Sequence, residues 1–207
     1  MHYPLLALAV QILLQHSPRL AFSLISPARL AKVQLQMKNG GRIVRLLICA
    51  GGTGGGVYPA LAVHGALTSK RPDVETLWVG GEGGMEEELV NRAGIPYRSI
   101  PAAGVHGIGA RALPGNIAKL MRGVFASRRI LREFNPDVLF FTGGFIAAPM
   151  ALAGRDIPTV LYVPDIEPGL SLKFISRFAD VVTVTALDSK KYFSRLEKVI
   201  LSGYPLR

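Results

Sequence analysis

A chain of 207 residues, 49% hydrophobic and 18% charged, is long enough to bury the core of one α/β domain with some length to spare. Its 23 glycines and 14 prolines lie scattered between apolar runs without repeat or low-complexity tract, which excludes a collagenous or disordered polymer. The formal charge of +10 suits an anionic neighbour (nucleic acid, phosphorylated substrate or anionic lipid), the plainer alternative being a merely basic surface. A single cysteine, Cys49, excludes an internal disulfide framework. It ends an apolar run and reads as a buried, inert thiol, which permits a reducing, cytoplasmic setting.

Residues 1–36 differ from the rest, with no acidic residue and only Arg19, Arg29 and Lys32 as cations. The apolar run Leu5 to Leu14 is too short to span a bilayer, which takes about 20 residues. No positive charge precedes it and no clear cleavage site follows, so a signal peptide fits poorly. The expectation is a poorly ordered tail, a false start or an interfacial segment, with Met37 as a natural beginning. Residues 37–203 then form one Rossmann-like domain, and 204–207 open a linker.

Ile43 to Cys49 is a continuous aliphatic run, the mark of a strand buried on both faces. A helix is expected over Val57 to Thr68, a strand over Val74 to Val79, a short helix over Met85 to Arg92 and a strand over Ile95 to Ile100. The acids that open the short helix suit a helix N-terminus. A Gly/Pro-rich loop, Pro101 to Gly115, leads to a long helix from Asn116 to Phe134 and a buried strand, Asp137 to Phe141. Helix and strand alternate thereafter: Phe145 to Ala153, Thr159 to Val163, Leu170 to Phe178, Asp180 to Thr185, Ser189 to Arg195 and Val199 to Leu201. Strict alternation predicts a parallel sheet covered on both faces by helices, with the site at the C-terminal ends of the strands.

The strongest local signal is Gly51-Gly52-Thr53-Gly54-Gly55-Gly56, set between the first strand and the first helix. Glycines there let backbone N–H groups approach an anion, and a helix N-terminus adds its dipole. A phosphate-binding P-loop would need Gly-Lys followed by Ser or Thr, and no lysine is present. The dinucleotide fingerprint also fails, because counting from Gly52 its last glycine falls on Val57. Pro59 is placed in the first helical turn, where its missing N–H costs little.

Taken together with Pro59-Ala60-Leu61-Ala62-Val63, this loop resembles that of the MurG-like glycosyltransferases. Met85-Glu86 with Leu89-Val90, Gly143-Gly144-Phe145, Ile157-Pro158, Gly169-Leu170 and Gly203-Tyr204-Pro205-Leu206-Arg207 follow in the matching order and spacing. The resemblance runs from Arg42 to Arg207. It implies the N-terminal, acceptor-binding half of a GT-B fold, in which two Rossmann-like domains face each other across a cleft. It further implies a UDP-sugar donor, a polyprenyl-diphosphate-linked acceptor, and a C-terminal donor domain or partner subunit that completes the enzyme. Donor or substrate contacts would fall on Gly52, Thr53, Gly54, Gly55, Gly56, Gly143, Gly144, Asp165 and Arg207. The sequence departs from the family in placing Gly56 where a histidine follows the glycine loop. It also has Tyr162-Val163-Pro164-Asp165 where the family has His-Glu-Gln-Asn.

Transfer to an alcohol wants a base near the hydroxyl. Asp165 and Glu167 are candidates by position, with His106 in the loop expected to face the acceptor; Asp165 equally suits a turn beside Pro164. No metal-ligand spacing occurs and no cofactor is expected.

Between Arg111 and Arg132 six basic residues stand with no acid, interleaved with apolar residues at helical spacing. Lys119, Met121, Arg122, Phe125, Arg128 and Arg129 are the expected contacts with an anionic inner-membrane surface, which would make the protein peripheral on the cytoplasmic face. The basic face equally suits plain solvation. No stacking aromatics accompany it, so nucleic acid is not an expected partner. The function expected is transfer of N-acetylglucosamine to a lipid-linked peptidoglycan precursor, this chain supplying the acceptor half. The alternatives are a glycolipid synthase with another lipid acceptor and a non-catalytic membrane subunit of a split transferase. A nucleotide-binding oxidoreductase is set aside by its glycine spacing.

Overall fold

The computed structural model describes residues 44–52, 54–101 and 113–204. Seven strands form one sheet in the order β3-β2-β1-β4-β5-β6-β7. They are β1 (Arg45–Ala50), β2 (Glu75–Gly81), β3 (Tyr97–Ile100), β4 (Val138–Gly143), β5 (Thr159–Val163), β6 (Val181–Val184) and β7 (Val199–Leu201). Every neighbouring pair is parallel. The helices are α1 (Gly54–Lys70), α2 (Glu86–Arg92), α3 (Leu113–Phe134), α4 (Ala147–Ala153) and α5 (Leu170–Ile175). The alternation expected of the sequence is therefore the alternation observed.

A parallel strand buried on both faces divides its side chains by the two-residue period. Leu46, Ile48 and Ala50 of β1 enter a core with Val57, Ala60 and Leu61 of α1 and Val90 of α2. Leu47 and Cys49 point the other way, toward Ile130 and Leu131 of α3, Met150 of α4 and Ile175 of α5. Phe140 and Phe141 of β4 split likewise between the two cores. Burial holds the Cys49 thiol far above its ordinary pKa, with the charge of Glu86 adding to the effect. The thiol is buried, as expected at the end of an apolar run.

Several boundaries move. α1 begins at Gly54, so Gly54, Gly55 and Gly56 form its first turn rather than a loop. Pro59 then lies inside the helix, where its missing N–H leaves the Gly55 carbonyl without its usual donor. One residue further on, the Thr142 hydroxyl donates to the Gly56 carbonyl at 2.8 Å. α4 starts at Ala147, because Gly143 and Gly144 take φ values of 122° and 90° and carry the chain out of β4 in a turn. α5 ends at Ile175, and the helix expected at Ser189 to Arg195 is instead a 3-10 segment, Leu187–Tyr192. Among the described residues no helix is long and apolar enough to cross a membrane.

Candidate functional site

The strand order reverses between β1 and β4, whose neighbours β2 and β5 lie on opposite sides. In an open parallel sheet, such a switch point leaves a crevice beyond the strands' C-terminal ends, where ligands bind. Both glycine motifs sit there: Gly51-Gly52 leaves β1 and Gly143-Gly144 ends β4. They touch. A β-carbon on Gly144 would overlap the Gly51 carbonyl oxygen, and one on Gly52 would lie 3.9 Å from the Gly144 α-carbon. Gly56 is pressed against β4, where a β-carbon would come within 3.1 Å of Thr142 Oγ1. Gly56, where the resemblance implies a histidine, is thus held close to the sheet.

α1 has no acidic residue in its first turn. Its leading N–H groups, which lack intrahelical acceptors, form the anion-favouring end of a helix beside the crevice. Gly54 and Gly55 supply two of them. The N–H of Gly52 is engaged elsewhere: it donates to Oε2 of Glu86 at 3.2 Å, while the N–H of Gly81 donates to Oε1 at 2.8 Å. Glu86 opens α2 and is fully buried, whereas Glu87 and Glu88 beside it are exposed. In the sequence all three acids suit the helix dipole; the fold buries Glu86 instead. Gly51 and Gly84 make room for it, since a β-carbon on either would overlap the carboxyl group.

Asp165 and Glu167 lie in the bend after β5, at the same end of the sheet as the glycines. Both side chains are exposed. Asp165 accepts a hydrogen bond from Ser189 Oγ at 3.4 Å through its backbone carbonyl, and Thr185 Oγ1 donates to the Pro164 carbonyl at 2.9 Å. Those bonds fix the bend and leave the Asp165 carboxylate to solvent. Glu167 stands 3.8 Å from Lys173 Nζ. Tyr162, one residue from the end of β5, is buried with its hydroxyl unbonded among the described residues, and it meets Tyr204 edge-on at 6.5 Å. Its hydroxyl is held well above the ordinary phenol pKa by burial first, then by Tyr204 and Asp165. Thr53, His106 and Arg207 lie outside the described residues. Among those described, no cluster of His, Cys, Asp or Glu could hold a metal ion.

On α3, Val124, Ile130 and Leu131 turn inward, while Ile117, Met121 and Phe125 project outward, Phe125 being 61% exposed. Lys119, Arg122, Arg128 and Arg129 are exposed on the same helix. Arg129 pairs with Glu133 at 2.8 Å, and Glu133 also takes Arg98 at 3.0 Å.

A doubly wound parallel sheet with two touching glycine turns at its switch point defines a Rossmann-like ligand-binding domain. The chain belongs to the family described as the glycosyltransferase family 28 N-terminal domain, matched over residues 46–184. Two relatives are UDP-N-acetylglucosamine--N-acetylmuramyl-(pentapeptide) pyrophosphoryl-undecaprenol N-acetylglucosamine transferases. That of Desulforudis audaxviator is 38% identical over 170 residues, 79% of this chain and 44% of the relative. That of Natranaerobius thermophilus is 36% identical over 164 residues, 78% of this chain and 45% of the relative. The chain therefore spans about half the length of the relatives it matches. The crystal structure of Acinetobacter baumannii MurG superposes with a TM-score of 0.61 at 29% identity, over 70% of this chain and 42% of that one. UDP-GlcNAc 2-epimerase of Methanocaldococcus jannaschii shares the fold, with a TM-score of 0.57 at 12% identity.

Proposed function

We propose that this chain is the acceptor-side half of a hexosyltransferase that moves N-acetylglucosamine from UDP-N-acetylglucosamine to a polyprenyl-diphosphate-linked muramoyl-peptide. The observation that carries the reading is the meeting of the two glycine turns at the switch point, in a chain of this family. In this reading the first turn of α1, with Gly54, Gly55 and Gly56, and the Gly143-Gly144 turn receive the acceptor diphosphate or the donor's edge. Backbone amides and the helix dipole stabilise phosphate charge there.

The attacking hydroxyl needs a proton acceptor within hydrogen-bond reach. Asp165 is assigned that role by its exposed carboxylate at the C-terminal edge of the sheet. Glu167 and His106 are the other candidates, and Thr53 and Arg207 the remaining donor contacts. The exposed apolar row Ile117, Met121 and Phe125, on a helix that also exposes Lys119, Arg122, Arg128 and Arg129, is read as the surface that rests on an anionic membrane. That places a peripheral protein beside its lipid-linked acceptor, on the cytoplasmic face.

A second reading, a glycolipid synthase, is favoured by Gly56 and by Tyr162 to Asp165, which depart from the family pattern. The test is a transfer assay on the protein translated from the complete reading frame. Labelled UDP-N-acetylglucosamine is offered with a polyprenyl-diphosphate-linked muramoyl-peptide or with diacylglycerol. Label in the first acceptor alone is the expected result; label in diacylglycerol alone establishes the second reading. Transfer to neither, with the acceptor still bound, points to a non-catalytic subunit.

A further inference from the structure

Glu86 is a buried carboxylate whose two acceptor oxygens are each taken by a backbone N–H, from Gly52 after β1 and from Gly81 at the end of β2. No cation pairs with it among the described residues. The backbone makes room for it. A β-carbon on Gly51 or on Gly84 would overlap its carboxyl group. Gly81 is gripped from the other side as well, its carbonyl accepting from the Tyr97 hydroxyl at 3.1 Å. A buried charge held only by backbone donors is costly, and an apolar residue of similar volume would avoid that cost. What the carboxylate accomplishes in return is to hold Gly52, at φ 83°, directly beside the Gly143-Gly144 turn.

We propose that Glu86 is the positioning residue of the glycine turn, locking the β1–α1 junction into its ligand-ready shape from below. The bond to Gly52 also decides which amides serve a ligand. With the Gly52 N–H consumed, those of α1's first turn remain, and the negative charge under Gly51-Gly52 disfavours a phosphate at that spot. A diphosphate is thereby directed to the α1 end of the turn, and neutral sugar hydroxyls are left to the Gly52 end. The bearing on catalysis rests on the transferase reading; the locking of the turn does not.

The test has a structural arm and a functional arm. In E86Q the amide keeps the volume but sets a donor against Gly52 or Gly81, so hydrogen exchange of those two amides should quicken by about tenfold or more. The amides of Leu47 and Ile48 should be unchanged. A mutant cycle is a second, independent check: G51A should lower Tm clearly in the wild-type background and less in E86A, where the overlapping carboxyl is gone and only the Ile146 Cδ1 contact at 3.0 Å remains. Unchanged exchange at Gly52 and Gly81, or an equal effect of G51A in both backgrounds, overturns the proposal.

In the protein from the complete reading frame, E86Q should raise KM and lower kcat/KM for transfer by about tenfold or more, with E86D recovering part of the loss. Full activity in E86Q despite faster exchange would overturn the positioning role. A wild-type protein that transfers nothing would count against the transferase reading alone, because the exchange and mutant-cycle results stand without it.

Discussion

At the scale of single residues, the switch point is built by excluding side chains. Gly144 has φ 90° and faces the Gly51 carbonyl, so alanine there meets both backbone strain and overlap. G144A should cost about 2–3 kcal/mol, seen as a fall of about 5–10 °C in the thermal midpoint. A midpoint within a degree of wild type would show that the two turns do not meet as described. The clustering of glycines was plain in the sequence, but which partner each one accommodates was not. Gly51 and Gly84 make room for Glu86, a residue 35 positions from the first and two from the second, and only the folded chain brings all three together. In the sequence, three consecutive glutamates at a helix start have an ordinary use in the helix dipole, and nothing local marks one of them for burial.

Among the elements, α3 was legible in outline and ambiguous in detail. Its apolar residues follow a helical period, yet Val124 and Leu131 serve the core while Met121 and Phe125 face outward. The period alone gives a stripe, and only the packing of α3 on α4 and the sheet tells which edge of it is covered. Because Met121 and Phe125 are exposed, M121D/F125D should leave the thermal midpoint nearly unchanged. It should weaken binding to anionic vesicles by at least about tenfold, given about 1.5–3 kcal/mol for each large apolar side chain buried. Equal sedimentation of wild type and variant with phosphatidylglycerol vesicles would remove this face from the membrane account. R122A/R128A should lose about thirtyfold at low salt, at about 1 kcal/mol per cation.

On α1, burial holds His64 below the ordinary histidine pKa. Folding then disfavours its protonation, so its contribution is complete above an unfolded value of about 6.5 and declines as the pH falls through the lowered folded value. The thermal midpoint of wild type should fall more steeply between about pH 7 and pH 5 than that of H64Q. Parallel pH curves would show that His64 is not the group responsible.

Over the whole molecule, the sheet order brings together segments far apart in the chain. Gly52 and Gly144 adjoin because β1 and β4 are neighbours, and the bend bearing Asp165 follows the next strand along. Alternating strands and helices foretold the layers, and the seven parallel strands follow from them. The reversal between β1 and β4 that makes the crevice came only with the fold. The family match gives that crevice its chemical context, and the net charge of +10 favours an anionic neighbour.

The central claim is that this chain holds the lipid-linked acceptor. Its most direct test is equilibrium binding of the purified chain to neutral vesicles with and without a polyprenyl-diphosphate-linked muramoyl-peptide, using wild type and G144A. Neutral lipid removes the general attraction of basic side chains for anionic head groups. The expected result is saturable binding that depends on the acceptor and weakens in G144A. Binding that is indifferent to the acceptor, or identical in the two proteins, would contradict the claim.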